Sequence, residues 1–566
     1  MTAAMFRALF VCCISVALTS ATLGGENFTS GEVTAAKFGV HEIEIPGAVV
    51  AGNPFDTIVR VTFRPPTGDA NAKTVFAFHD GQGIWKARTY VSEAGEWQWT
   101  TRCETNPELH GKSGGFVARD SSLRGRLLQH PKNPRQWMTE NGRFFLNLSD
   151  TAYFLLCLHD GNANPVSDDD ARRYVRDDVE RGITAVRCFL ASGPGGFSEA
   201  TKQWTDWYFA DDNYAKLRLE NLQCADRRLR MLLESYPEVA VQLILFPLEA
   251  YNRDDQFWTA LSATQRERLL RNLVARFAAY PQLLWLITND AHYGPKFPNN
   301  NALARTVGDY LQTHDPWQHP RSTGHARRIP FFFGNEDWAT YIHIEHAHDL
   351  GAQQYGQYHD FAKPAFLGED RYEQDHGPRL DPTHMQYWQR RLFWAWLLSG
   401  GSANYGGRWW VVHPYSETGQ RATAFHKRPG VTFAAPLTGL DSVRAIRDYF
   451  DVRAIDLGAF EPDQTLVEDA AGGTDAAAPR LLRRGRDEIL VYHPHAIRDE
   501  QQAQLNTATT ARLRLDLRSL VGHFTVEWYR CEDGQSKSGG ELVGGDWREL
   551  SAPWSGADVV LRLVRK

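Results

Sequence analysis

Between residues 136 and 400 the chain alternates short, almost wholly apolar runs with longer stretches of helical period. The runs Phe144-Phe145-Leu146-Asn147-Leu148, 183–190, 239–246 and Leu283-Leu284-Trp285-Leu286-Ile287 read as strands buried on both faces. Helices are expected over 168–181, where Ser167 or Asp168 caps the first turn, and over 213–235 and 262–279. The alternation continues through 301–312, 321–325, 339–345, 350–361, 364–368 and 386–398. About eight strand–helix units in succession predict a central (β/α)8 TIM barrel, with its active-site rim at the C-terminal ends of the strands.

The flanks follow a different rhythm. Short alternating runs such as 38–45, 58–63, 75–78, 85–91 and 96–100 recur between turn residues, without helical period, and predict an antiparallel sandwich. After a loose segment at 461–479, rich in Ala, Gly, Asp and Thr, the strand-like runs 488–492, 511–517, 524–529 and 559–563 predict a second sandwich. The expected organisation is multidomain α/β plus all-β: a signal peptide at 1–21, an N-terminal β-sandwich at 30–120, the barrel at 135–460 and a C-terminal β-sandwich at 480–566.

The leader is expected because Arg7 precedes the apolar run 8–18 and small residues through Ala21, too short a run to anchor in a bilayer. It places the mature protein outside the cell or in the periplasm. Without Cys12 and Cys13, five cysteines remain (Cys103, Cys157, Cys188, Cys224, Cys531), an odd set with no C-x-x-C spacing. Neither a disulfide framework nor a cysteine zinc site is expected. A net charge of -6 offers no electrostatic case for nucleic acid or an anionic membrane as partner. Aromatic residues make up 12% of the chain, and their flat faces suit sugar rings as well as cores. Oligomeric state is not legible.

Candidate chemistry sits where apolar runs stop on acids. The strand ending at Ile287 gives way to Thr288-Asn289-Asp290, and Ala365-Phe366-Leu367 to Gly368-Glu369. By count of units these fall near the fourth and seventh strands, so the two carboxylates would face one another across a barrel mouth, the arrangement glycosidic cleavage requires. Asp290 is expected as general acid/base and Glu369 as nucleophile. Substrate contacts are expected from Asp150 at the end of the first strand, from Arg187, Asn289, His292 and Tyr372, and from Tyr405 and Trp409 beside a glycine-rich segment. Asp150 and Asn289 also suit plain turns and caps. Arg187, a charge in an apolar strand, needs a partner, which is either a catalytic carboxylate or a structural one. The run His343-Ile344-Glu345-His346-Ala347-His348 crowds the sixth strand end, but no metalloenzyme motif accompanies it, and no metal or other cofactor is expected.

These residues carry a resemblance. The segment Gly142 to Tyr153, the positions of Asp290 and of Pro364 to Tyr372 with Glu369, and the segment Gly400 to Gly407 resemble the apiosidase-like (β/α)8 glycoside hydrolases. Asn53-Pro54-Phe55, His79-Asp80-Gly81 and Gly95-Glu96-Trp97 are similar to a β-sandwich of unknown function found before such barrels, and the C-terminal part resembles a sandwich type named for collagen binding. Many related barrels end the fourth strand in Asn-Glu, whereas this chain has Asn289-Asp290, one methylene shorter, which the resemblance accommodates. It implies a two-carboxylate glycosidase acting on a plant or algal carbohydrate. The alternative is a non-catalytic carbohydrate-binding or adhesion protein on a degenerate barrel, for which the two carboxylates would lie more than about 10 Å apart.

Overall fold

The structure is a computed structural model and describes residues 34–47, 52–161, 163–193, 204–248, 253–327, 329–345, 352–370, 382–406, 412, 439–468, 478–495, 497–499, 504–505 and 508–566. It is a mixed α/β chain with β-rich ends. Eight parallel strands run through its middle: β1 Leu148–Thr151, β2 Ala185–Phe189, β3 Ala240–Phe246, β4 Leu283–Thr288, β5 Arg321–Ser322, β6 Ile342–Glu345, β7 Ala365–Glu369 and β8 Ala403–Tyr405. Six form one sheet in the order β5-β4-β3-β2-β1-β8, and β6 pairs with β7. The Thr340 amide donates to the Arg321 carbonyl beside β5, and a parallel bridge joins Phe366 of β7 to Ser402 before β8.

Helices α1 Asp168–Glu180, α2 Leu219–Ser235, α3 Ala263–Phe277, α4 Pro298–His314 and α5 Pro382–Leu397 follow strands of this set. Two of them start on complete capping boxes, Ser167 with Asp170 and Ser262 with Gln265, each serine satisfying an orphan amide of the first turn. Almost every residue of β1 to β4 is buried, as expected of strands covered on both faces. The space between the strands narrows below their C-terminal ends to about 10 Å³, lined by Ser149, Gln242, Leu284, Tyr341 and Phe366. That is room for about one water, so the interior is packed.

Three elements differ from expectation. The first strand begins at Leu148 rather than Phe144, because Phe144 and Phe145 pair back onto Met138 and Trp137. Helix α2 starts at Leu219 instead of residue 213, since Phe209 and Leu217 close a bridge ahead of it. The stretch expected as a helix over 350–361 is a 3-10 helix, Gln353–Phe361.

At the N-terminal end a five-stranded sheet (Thr34–Ala36, Ser113–Arg119, Gly95–Cys103, Val59–Arg64, Lys73–Phe76) accompanies a three-stranded one (Val40–Pro46, Ile84–Tyr90, Phe78–His79). Their core is continuous with that of the parallel strands. Buried charges cross the junction: Asp226 of α2 receives Arg88 from the three-stranded sheet and Arg276 from α3, and Arg276 also reaches Asp80 at 2.8 Å. At the C-terminal end lie a six-stranded and a three-stranded sheet around a separate core of Leu481, Ile489, Val491, Leu513, Phe524 and Leu561. Helix α6, Val443–Val452, and α5 tie this part to the rest through Trp394 stacked on Tyr492 and through the Tyr387 hydroxyl, which donates to Asp558 at 2.9 Å. The five cysteines from Cys103 onward are free and buried. No helix among the described residues is long and apolar enough to cross a membrane.

Candidate active site

The C-terminal ends of four strands converge on one cluster. Glu345 is the last residue of β6, Glu369 the last of β7, Asp290 follows β4 by two residues, and Arg187 projects from the middle of β2. Oxygen atoms of Asp290, Glu345 and Glu369 all lie within 4.8 Å of one another, and all three side chains are buried. Three acids in such a space need compensating charge or protons.

Most of the compensation reaches Glu369. Its Oε2 accepts from the Tyr153 hydroxyl at 2.8 Å and from Arg187 Nη1 at 3.0 Å, and its Oε1 accepts from Arg327 Nε at 2.8 Å. Charged, well-directed donors of this kind favour a carboxylate anion. Arg187 is fully buried and has further partners: the Gly368 carbonyl at 3.0 Å, the Asn289 side-chain carbonyl at 2.5 Å and Glu345 at 3.3 Å. Its guanidinium lies 5.1 Å from the Tyr153 ring centroid, and that ring stacks on Phe189 at 4.6 Å. A charge that looked anomalous in an apolar strand is therefore the post around which the site is arranged.

Asp290 and Glu345 are in the opposite condition. Burial, with the negative charges of Glu345 and Glu369 and a hydrogen bond to Glu345, holds Asp290 well above the usual carboxylate range. Burial and the charge of Glu369 push Glu345 up to about 7. Two neutral imidazoles frame Glu345. Gln242 donates to His343 Nδ1 at 3.2 Å, leaving His343 Nε2 to donate to Glu345 at 3.1 Å. The Glu345 amide donates to His325 Nε2 at 3.3 Å, and His325 Nδ1 donates to the Ala326 carbonyl. Burial first, and Arg187 second, keeps His343 far below the ordinary histidine range, and burial takes His325 down to about 4. The close approach of His343 requires Gly368: a β-carbon there would sit 1.8 Å from the imidazole Cε1.

Of the expected residues, Asp290, Glu369, Arg187 and Asn289 meet in this cluster. The Asn289 amide nitrogen is buried without a hydrogen-bond partner while its carbonyl is held by Arg187 and Tyr153. Asp150 is not brought there. It pairs in register with Val186 and Tyr405, on the sheet face opposite Ser149, Thr151 and Arg187, and accepts from the Tyr174 hydroxyl of α1 at 2.6 Å. Tyr405 shares that outer face, so the register of β8 turns it away from the cluster. His292 lies just beyond Asp290, where its ring meets Phe297 at 5.3 Å. Tyr372 and Trp409, with His346 and His348, lie outside the described residues. Tyr153, His325 and Arg327 were not singled out from sequence, and His343 and Glu345 were noted only as part of the crowded sixth strand end, without a catalytic role. Glu345 carries the same signal as Glu369, an acid closing an apolar strand, masked there by the neighbouring histidines.

The three carboxylates also have the spacing of a cation site, but Arg187 and Arg327 already supply positive charge to the cluster. As arranged, the cluster offers one carboxylate held by charged donors and one carboxyl whose protonated form is favoured by burial and neighbouring acids, close together at the strand ends. Such a pair can transfer a proton to a leaving oxygen and stabilise or capture an electron-poor carbon.

The family model described as "Apiosidase-like, catalytic domain" matches residues 131–428, more than half of the chain, and a domain of unknown function, DUF5060, matches residues 34–104. No curated protein matches. Among solved structures, a candidate glycoside hydrolase from Bacteroides vulgatus ATCC 8482 superimposes with a TM-score of 0.67 at 16% identity, covering 94% of this chain and 100% of its own. A glycoside hydrolase family 5 protein from the same organism gives 0.58 at 15% identity, covering 78% of this chain and 94% of its own. A third, called simply a glycoside hydrolase, gives 0.58 at 16% identity over 78% and 97%. At these identities the likeness is one of fold. The family match rests instead on the stretch that carries Asp290, Glu345 and Glu369, and by it this chain belongs to the apiosidase-like family and is a glycoside hydrolase.

Proposed function

We propose that the chain is an exported glycosidase that cleaves a plant or algal poly- or oligosaccharide with retention of anomeric configuration. Its eight parallel strands are read as a (β/α)8 barrel over residues 135–460, the β5–β6 and β7–β8 hydrogen bonds standing where the ring would close. The sandwiches at 30–120 and 480–566 flank it, behind the export leader at 1–21.

The observation that carries the mechanism is the close approach of Asp290 and Glu369. Nearest oxygens within 4.8 Å favour a retaining pair, whose carboxyls stand about 5–5.5 Å apart, over the about 6.5–9.5 Å that an inverting enzyme needs for an intervening water. A separation beyond about 10 Å, the mark of the non-catalytic alternative, is absent. In the first step the Asp290 carboxyl gives its proton to the glycosidic oxygen as the C–O bond breaks. The Glu369 carboxylate bonds to the anomeric carbon, forming a glycosyl ester. In the second, the Asp290 carboxylate takes a proton from water, whose oxygen bonds to the anomeric carbon and releases Glu369. Glu369→Gln should lower turnover by about 10³-fold or more while leaving the circular dichroism spectrum intact. A panel of plant and algal polysaccharides, with reducing-sugar release as readout and proton NMR of the first anomer formed, tests both the activity and the retention. Undiminished hydrolysis by Glu369→Gln, or the inverted anomer, would overturn this mechanism.

A further inference from the structure

We infer that Glu345 is a positioning residue that shares one proton with Asp290 and thereby keeps that carboxyl charged with its proton until a glycosidic oxygen arrives. The inference rests on reading Asp290 as the acid and adds a third carboxylate to the pair.

Three carboxyls meet within 4.8 Å, and the cations that face them are Arg187 from β2 and Arg327 from the loop after β5. Among the described residues, the other titratable side chains in contact with the cluster are Tyr153, His343 on β6 and His325 after β5. Hydrogen bonding assigns both histidines as neutral: His343 accepts at Nδ1 from Gln242, and His325 accepts at Nε2 from the Glu345 amide. Among the described residues, two positive charges against three buried carboxyls leave room for one proton. Glu369 takes three donors from Tyr153, Arg187 and Arg327, so the proton does not belong to it. It lies between Asp290 and Glu345, whose buried carboxyl oxygens approach within 4.8 Å of each other. Glu345 is fixed to receive it: Oε1 is held by His343 Nε2 and Arg187 Nη2, while the buried Oε2 accepts no N–H or hydroxyl donor among the described residues. Gly368, by leaving space for the His343 ring, makes that hold on Oε1 possible.

The sign follows directly. An anion beside Asp290 stabilises its protonated form, so the acid remains armed to higher pH, and taking the anion away releases the proton sooner. Aspartate labelled with ¹³C at the side-chain carboxyl reads this without any substrate, the Asp290 resonance being the one lost in Asp290→Asn. In the wild type the midpoint should lie well above the ordinary aspartate range. In Glu345→Gln it should fall by about one to two pH units, and in Glu345→Asp, which keeps the charge, it should stay raised. On whichever polysaccharide the screen finds cleaved, the alkaline limb of kcat/KM should move to lower pH in Glu345→Gln by the same amount. A wild-type Asp290 midpoint below about 5 would overturn the inference, and this needs no variant to fold. A midpoint unmoved in Glu345→Gln, or a loss of rate equal at every pH, would overturn it too. Because the titration needs no turnover, a shared proton found in a protein that releases no sugar would overturn the glycosidase mechanism and leave the proton pair standing.

Discussion

Tyr153 sits two residues beyond the first strand's end and touches the site at two points: its hydroxyl reaches Glu369 at 2.8 Å and the Asn289 carbonyl at 3.3 Å. A phenol is a modest donor beside two guanidiniums, so Tyr153→Phe should cost about tenfold in kcat/KM, roughly one hydrogen bond's worth, with the fold kept by the ring's stacking on Phe189. Steady-state kinetics beside a thermal melt checks this; a loss as deep as that of Glu369→Gln would mean that Tyr153 has a larger part. At this scale the sequence showed Asp290, Glu369, Arg187 and Asn289, because an acid or a charge at the end of an apolar run is conspicuous. It did not show Tyr153, His325 or Arg327, and it marked His343 only as one of a crowded run. Nothing in their local pattern distinguishes them, and they matter only because strands far apart in sequence bring them to one point. Asp150 failed in the other direction. A one-residue change of position on a strand exchanges the two faces, and register, not composition, decides which one a side chain takes.

Elements were read best where local chemistry decides them. The capping serine at 167 and the apolar period behind it define α1, and Ser262 with Gln265 defines α3. Replacing Ser262 by Ala removes the side-chain oxygen that the Gln265 amide uses, at a cost of about 1 kcal/mol, seen as a lower thermal unfolding midpoint. The misplaced elements share a cause. Phe144 and Phe145 have strand character, but the residues that pair with them are Met138 and Trp137, a local antiparallel turn instead of the parallel sheet. Strand propensity says that a segment can pair, not with what.

Across the whole molecule, the N-terminal sheets and the parallel-strand region are joined by buried charge as well as by a common core. Asp226 lies between Arg88 and Arg276, with the Phe78 ring beneath both guanidiniums at 4.8 and 4.2 Å. Asp226→Asn would leave the two guanidiniums facing each other without that anion, a loss of about 3–5 kcal/mol. Differential scanning calorimetry would show it as a lowered transition, and a variant as stable as the wild type would mean that Glu42 and Asp80 suffice to neutralise the pair.

The sequence by itself determined the alternation of strand and helix, the β-rich ends, and two acids at strand ends, since periodicity, caps and the exclusion of charge from apolar runs are properties of neighbouring residues. It was also enough to suggest the family. Tertiary structure alone decided that a third acid, Glu345, belongs with them, that Arg187 faces Glu369, and that Asp150 and Tyr405 face away. Those are matters of distance and register between strands 182 residues apart for Arg187 and Glu369 and 255 for Asp150 and Tyr405, and the energy of a charge depends on what surrounds it in space.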